Sequence, residues 1–178
     1  MNYAEIKYFD IANGPGVRVS LFVSGCTHRC KNCFNTVAWD FNYGKPFTDD
    51  VKNKILSECK ADYIKGLSLL GGEPFEPENQ ECLTELLKTF KETYPQKDVW
   101  CYSGYTYEQL IGEKEGRCNT PLAKTMLSYI DVLVDGKFVQ ELYSIRLQFR
   151  GSSNQRIIDL NKTRQNGEIV LWVDEIKE

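Results

Sequence analysis

Stretches of alternating period run along the chain. Val17–Val23 reads Val-Arg-Val-Ser-Leu-Phe-Val, a β-branched and aromatic run that predicts a strand. Thr48, Asp49 and Asp50 offer capping groups, and Val51, Ile55 and Cys59 follow at four-residue spacing, which predicts a helix. Residues 66–70 form a short apolar strand closed by Gly71-Gly72-Glu73-Pro74. Leu83, Leu86, Leu87, Phe90 and Tyr94 mark one face of a helix over 79–94. A strand is expected over 99–102, a helix over 121–129 with Pro121 in its first turn, and a strand over 130–134 that ends at Asp135-Gly136. Two more strands are expected over 157–160 and 169–173. The first ten residues interleave apolar side chains with Glu5, Lys7 and Asp10, unlike an export signal.

Strands alternating with helices predict βαβ units and a mainly parallel sheet, hence an α/β fold. The runs around Leu67, Val99 and Ile130 are nearly all apolar, as strands covered on both faces should be. Ligands in such folds sit beyond the carboxyl ends of the strands. That rule selects Ser24-Gly25-Cys26, Gly71-Gly72-Glu73-Pro74, Ser103-Gly104-Tyr105 and Asp135-Gly136-Lys137. With 178 residues, no repeat and no Pro- or Ser-rich linker, the chain reads as a single domain over 1–178. Hydrophobic residues at 42% and charged residues at 26% argue for a globular protein and against disorder. A net charge of -3 gives no general attraction to nucleic acid or to an anionic membrane. No apolar run is long enough to span a bilayer.

The seven cysteines change the picture. Their odd number, with no export signal, argues against a disulfide framework and for a reducing, cytoplasmic setting. Cys26, Cys30 and Cys33 form C-x3-C-x2-C directly after the first strong strand. Thiolates are soft ligands that favour zinc or iron–sulfur clusters. Closed zinc sites and electron-transfer clusters both take four ligands. Three cysteines on a cubane leave one iron open for chemistry. His28, the single histidine, offers a fourth ligand for a zinc knuckle, but it lies inside the first spacer and reads rather as solvated or supporting. Cys59, Cys82 and Cys101 read as small core residues. Cys118, in a polar loop, reads as an exposed thiol.

The cysteine triplet, with Gly-Gly-Glu-Pro at a later strand end, resembles the radical S-adenosylmethionine superfamily. Asn13-Gly14-Pro15-Gly16-Val17-Arg18, Phe34-Asn35 and Trp39-Asp40 narrow the resemblance to the activases of glycyl-radical enzymes. The runs 13–30, 67–74, 131–138 and 150–156 are similar to activases that act on anaerobic ribonucleoside-triphosphate reductase. Many members have Asp where this chain has Asn13; both are small polar turn residues. The resemblance implies a partial, open (β/α) barrel, a 4Fe-4S cluster on Cys26, Cys30 and Cys33, and S-adenosylmethionine on the open iron. It implies that Gly71, Gly72 and Glu73 hold the methionine amine and that Asn35 lies beside the cofactor. Asp135 and Lys137 would face its ribose and carboxylate, although Asp135 before Gly136 equally fits turn chemistry and Lys137 a surface charge. Tyr102-Ser103-Gly104-Tyr105 is a further candidate lining.

The implied partners are the reductase, as protein substrate, and an external one-electron donor such as a flavodoxin or ferredoxin. The 150–156 loop either meets the reductase or is an ordinary connection. Two other readings remain at this point: another small radical enzyme, such as a 7-carboxy-7-deazaguanine synthase, and a zinc-stabilised binding module without catalysis.

Overall fold

The computed structural model describes residues 1–174. Its strands are β1 (Asn2–Asp10), β2 (Val17–Val23), β3 (Lys45–Pro46), β4 (Ile64–Gly71), β5 (Asp98–Tyr102), β6 (Val132–Asp135) and β7 (Arg156–Asp159). The helices are α1 (Asp49–Glu58), α2 (Pro77–Thr93), α3 (Tyr107–Leu110), α4 (Pro121–Ser128) and α5 (Leu160–Asn166). One seven-stranded sheet runs in the order β3-β1-β2-β4-β5-β6-β7. The inner pairs β2–β4, β4–β5 and β5–β6 are parallel. The outer pairs β3–β1, β1–β2 and β6–β7 are antiparallel. The sheet is therefore mixed and parallel only at its centre, which corrects the expectation of a mainly parallel one. It is open, with β3 and β7 at its edges.

Side chains alternate across a strand, and the two faces are covered differently. Val19, Leu21, Val23, Leu67, Leu69, Val99, Cys101 and Leu133 point into one buried core with Ile55, Leu83, Leu86, Leu87, Phe90, Met126 and Leu127 of the helices. Each large aliphatic or aromatic side chain fully buried there contributes about 1.5–3 kcal/mol. The other face carries Arg18, Ser68, Trp100, Val132 and Val134, with Phe149 and Trp172 edge-on to Trp100. That second face holds the buried cation and opens toward the strand ends.

Thr48 caps α1 as expected, its hydroxyl accepting from Val51 N–H. Helix α2 begins at Pro77, two residues before the expected start. Its preceding residue, Glu76, provides no side-chain cap because its carboxylate is engaged elsewhere. The strand expected over 169–173 is absent: Leu171 makes one isolated bridge to Ile158. β1 and β3 add an antiparallel margin that the sequence pattern had not assigned.

Candidate iron–sulfur site

The parallel strands end on one side, and a cavity of about 610 Å³ lies there. Its size falls within the range of small-molecule sites. Cys26, Cys30 and Cys33 form part of its wall, as do Gly71, Gly72 and Glu73. Tyr102, Ser103 and Gly104 follow β5 into the same wall, and Gly136, Phe138, Gly151 and Gln155 close another side. The tips after β2, β4, β5 and β6 thus meet as the strand-end rule requires.

The cysteine loop winds tightly. Arg29 and Asn32, each just before a cysteine, have φ of 47° and 57°. Left-handed backbone at a non-glycine residue costs on the order of 1 kcal/mol or more and persists only where the surroundings hold it. Residues 73–79 hold the start of the loop, at Ser24, Gly25 and Thr27. Glu73 N–H donates to Gly25 O at 2.8 Å, and Asn79 Nδ2 donates to Ser24 O at 3.0 Å. Glu76 Oε1 accepts from Thr27 N–H at 2.7 Å and from Thr27 Oγ1 at 2.5 Å. Its second oxygen accepts from Arg117 Nε at 2.9 Å. Glu73, Glu76 and Asn79 are all at most 1% exposed, so these bonds are made away from water. Gly72 permits the approach: a Cβ there would lie 2.5 Å from Gly25 O and 2.8 Å from Ala38 O.

Glu73 sits at the centre of this arrangement. Its Oε1 accepts from Phe75 N–H and from Ser103 Oγ, each at 2.9 Å. Its Oε2 accepts from Gly104 N–H at 2.7 Å and pairs with His28 Nε2 at 2.9 Å. A carboxylate has about four lone-pair sites, so four donors saturate it. Of the two readings the sequence left for His28, solvated or supporting, the structure favours the second. Its side chain is 6% exposed, held by Glu73 and edge-on to Tyr105 at 4.3 Å between ring centroids. That engagement takes it away from a zinc knuckle. Among the described residues, no three His, Cys, Asp or Glu side chains converge on a single ion position. A cubane is larger than an ion, and each of its cysteines binds a different iron.

Burial, with the Glu73 carboxylate second, pushes the Cys26 thiol up to about 12. Burial also raises Cys30, while the Phe138 N–H and the Lys137 charge act the other way. A coordinating metal must displace these protons. The fit to a bound cofactor rests on one more observation. The Tyr102 hydroxyl is buried and without a partner among the described residues, and Tyr102 lines the cavity. An orphaned hydroxyl at a cavity wall suits a ligand with polar atoms to offer.

Three expected site residues do not line the cavity. Asn35 precedes the short 3-10 turn Thr36–Trp39. The Asp135 carboxylate is 1% exposed and turned to Arg156, accepting from Nε at 3.0 Å and Nη2 at 2.5 Å, and from Tyr107 N–H at 2.7 Å. Lys137 is exposed, and its carbonyl accepts from Asn154 Nδ2. The 150–156 loop is folded onto the site: Gln155 Oε1 accepts from Gly151 and Ser152 N–H, and its Nε2 donates to Gly136 O. Cys59 and Cys101 are core residues as expected, but Cys82 is half-buried and Cys118 is fully buried. The sequence reading missed Thr27, Glu76, Asn79 and Arg117. The available signal was a second acidic residue, Glu76, just after the glycine turn and before a helix.

Residues 12–158 match the family described as "4Fe-4S single cluster domain", which makes the class of this fold a single-cluster iron–sulfur domain. The chain is 42% identical over 159 residues to the anaerobic ribonucleoside-triphosphate reductase-activating protein of Vibrio cholerae, covering 88% of this chain and 97% of that protein. It is 43% identical over 159 residues to that of Haemophilus influenzae, with 88% and 97% covered. To that of Escherichia coli K12 it is 40% identical over 157 residues, with 87% and 96% covered. The chain belongs to the family of anaerobic ribonucleoside-triphosphate reductase-activating proteins. Among the described residues, no helix is long and apolar enough to cross a membrane.

Proposed function

We propose that the protein is a radical S-adenosylmethionine activase that installs a glycyl radical on anaerobic ribonucleoside-triphosphate reductase. The observation that carries this reading is the single cavity that Cys26, Cys30 and Cys33 line together with Gly71 and Gly72. The names of the relatives support the identity of the protein substrate. When bound, a 4Fe-4S cluster supplies the electron that splits S-adenosylmethionine into methionine and a 5′-deoxyadenosyl radical, which takes one hydrogen atom from a backbone glycine of the reductase.

This chain's residues bind, orient and exclude. Cys26, Cys30 and Cys33 would hold the cluster through their thiolates. Gly71 and Gly72 bring backbone close to the methionine amine. Glu73 stands behind them, its carboxylate saturated by four protein donors. The Tyr102 hydroxyl is available to a polar atom of the cosubstrate. Asp135 serves Arg156 and the start of α3. The electron comes from a separate donor of the flavodoxin or ferredoxin kind, and the site of action is the cytoplasm.

The test is anaerobic incubation of reconstituted protein with reductant, S-adenosylmethionine and the reductase. The expected results are 5′-deoxyadenosine and a glycyl-radical doublet on the reductase in electron paramagnetic resonance. Protein that binds zinc, carries no iron and cleaves no cosubstrate would refute the reading.

A further inference from the structure

We propose that His28 is a positioning residue that locks the cysteine loop to the Gly71–Gly72 turn through Glu73. The inference rests on the functional reading above and deepens it. S-adenosylmethionine would have to meet the open iron and the glycine turn at once. Those two features lie on separate strand ends, so their separation must be fixed by something between them. Backbone and side-chain bonds from residues 73–79 fix the loop at Ser24, Gly25 and Thr27, on the Cys26 side. His28 is the last of these ties before Cys30. Past it, the Cys30 sulfur meets the Phe138 N–H, and Lys31 reaches exposed Glu141 at 3.4 Å.

The tie is built for rigidity. Glu73 Oε2 is an acceptor, so Nε2 of His28 carries the hydrogen. Both side chains are shielded from water, where such a bond is worth more than at the surface. Tyr105 packs against the ring, and a Cβ on Gly104 would strike it. The same carboxylate also takes Ser103 Oγ and Gly104 N–H. One carboxylate thus holds three strand-end loops, and His28 is the cysteine loop's side-chain share of it.

The experiment compares His28→Ala, His28→Gln and Gly104→Ala with wild type after anaerobic reconstitution. Iron content and the cosubstrate-induced change in the spectrum of the reduced cluster are read separately. Iron content should be that of wild type in all three. Affinity for S-adenosylmethionine should fall about tenfold in His28→Ala, the effect of losing one well-placed hydrogen bond. His28→Gln, whose amide N–H reaches toward the same carboxylate, should recover most of it. Gly104→Ala, which displaces the ring while keeping it, should lose affinity as His28→Ala does. Should His28→Ala fail to fold, the other two variants still decide. Unchanged affinity in His28→Ala or Gly104→Ala overturns the proposal. So does loss of iron from folded His28→Ala, which would make the residue a ligand. A wild-type cluster that ignores the cosubstrate overturns the functional reading itself, and this proposal with it.

Discussion

Replacing Arg18 by Met tests how the cavity-side face of the sheet is held. The Arg18 side chain is fully buried. Its Nε donates to Ser68 Oγ at 2.7 Å, Nη2 to Leu67 O at 3.0 Å and to Asp98 Oδ1 at 2.5 Å, and Nη1 to Pro15 O at 3.2 Å. Ser68 Oγ in turn donates to Asn13 O, and Asn13 lines the cavity. Methionine keeps much of the stem that packs by Trp100 and removes every donor. Removing one partner of a buried ion pair costs about 3–5 kcal/mol. Asp98 is 26% exposed and regains some water, so the low end applies, about 3 kcal/mol. For a chain this long, 1 kcal/mol moves Tm by about 2–4 °C, which gives a fall of roughly 6–12 °C. The assay is urea and thermal unfolding of the iron-free chain, with Asp98→Asn and the double variant completing a cycle. A coupling of at least about 1 kcal/mol between the two positions is expected. A Tm within about 2 °C of wild type, or strictly additive effects, would refute the reasoning.

Three further outcomes follow from the geometry. Gly72→Ala forces a Cβ against the Gly25 and Ala38 carbonyls, and should cost about 1–3 kcal/mol in unfolding and weaken binding of S-adenosylmethionine in titration. Hydrogen bonding from Arg156 is the main cause that holds Glu108 down at about 2. A depressed carboxylate adds stability that is complete above its unfolded pKa, near 4.5, and is lost as pH falls toward 2. Glu108→Gln should therefore flatten the acid limb of a stability–pH curve by about 2 kcal/mol, measured by denaturation between pH 5 and pH 2. Burial raises Cys59 to about 12 and Cys118 to about 11, so neither should react with a maleimide in the native chain, whereas half-buried Cys82 should, as peptide mass spectrometry would show.

The central parallel strands were readable because an unbroken apolar run and a closing glycine turn both recur at the strand ends. Val17–Val23 and α4 fell where expected, α4 one residue shorter at its end. The antiparallel margin was not read. β1 shows alternating burial along Asn2–Asp10, and that alternation was present in the sequence, where it was used to argue against an export signal. The 169–173 stretch has strand-forming residues but pairs at one bridge, because β-propensity describes a fit to a sheet and not a guarantee of a neighbour. Within the site, the cysteines and the glycine turn were legible from type and spacing alone. What Glu73, Asp135 and His28 bond to was not, because most of their partners lie 21 to 45 residues away. Cys118 looked exposed from its polar neighbours, yet Gln80 Nε2 donates to its carbonyl and draws that loop onto the core.

The account depends most on an iron without a protein ligand, kept for S-adenosylmethionine. Electron paramagnetic resonance of the anaerobically reconstituted, reduced protein, recorded with and without S-adenosylmethionine, addresses it directly. The account predicts about four irons per chain and a cluster signal that changes in shape and g-values when the cosubstrate is added. A signal that stays the same at saturating S-adenosylmethionine, or a colourless protein carrying a single zinc, would contradict it.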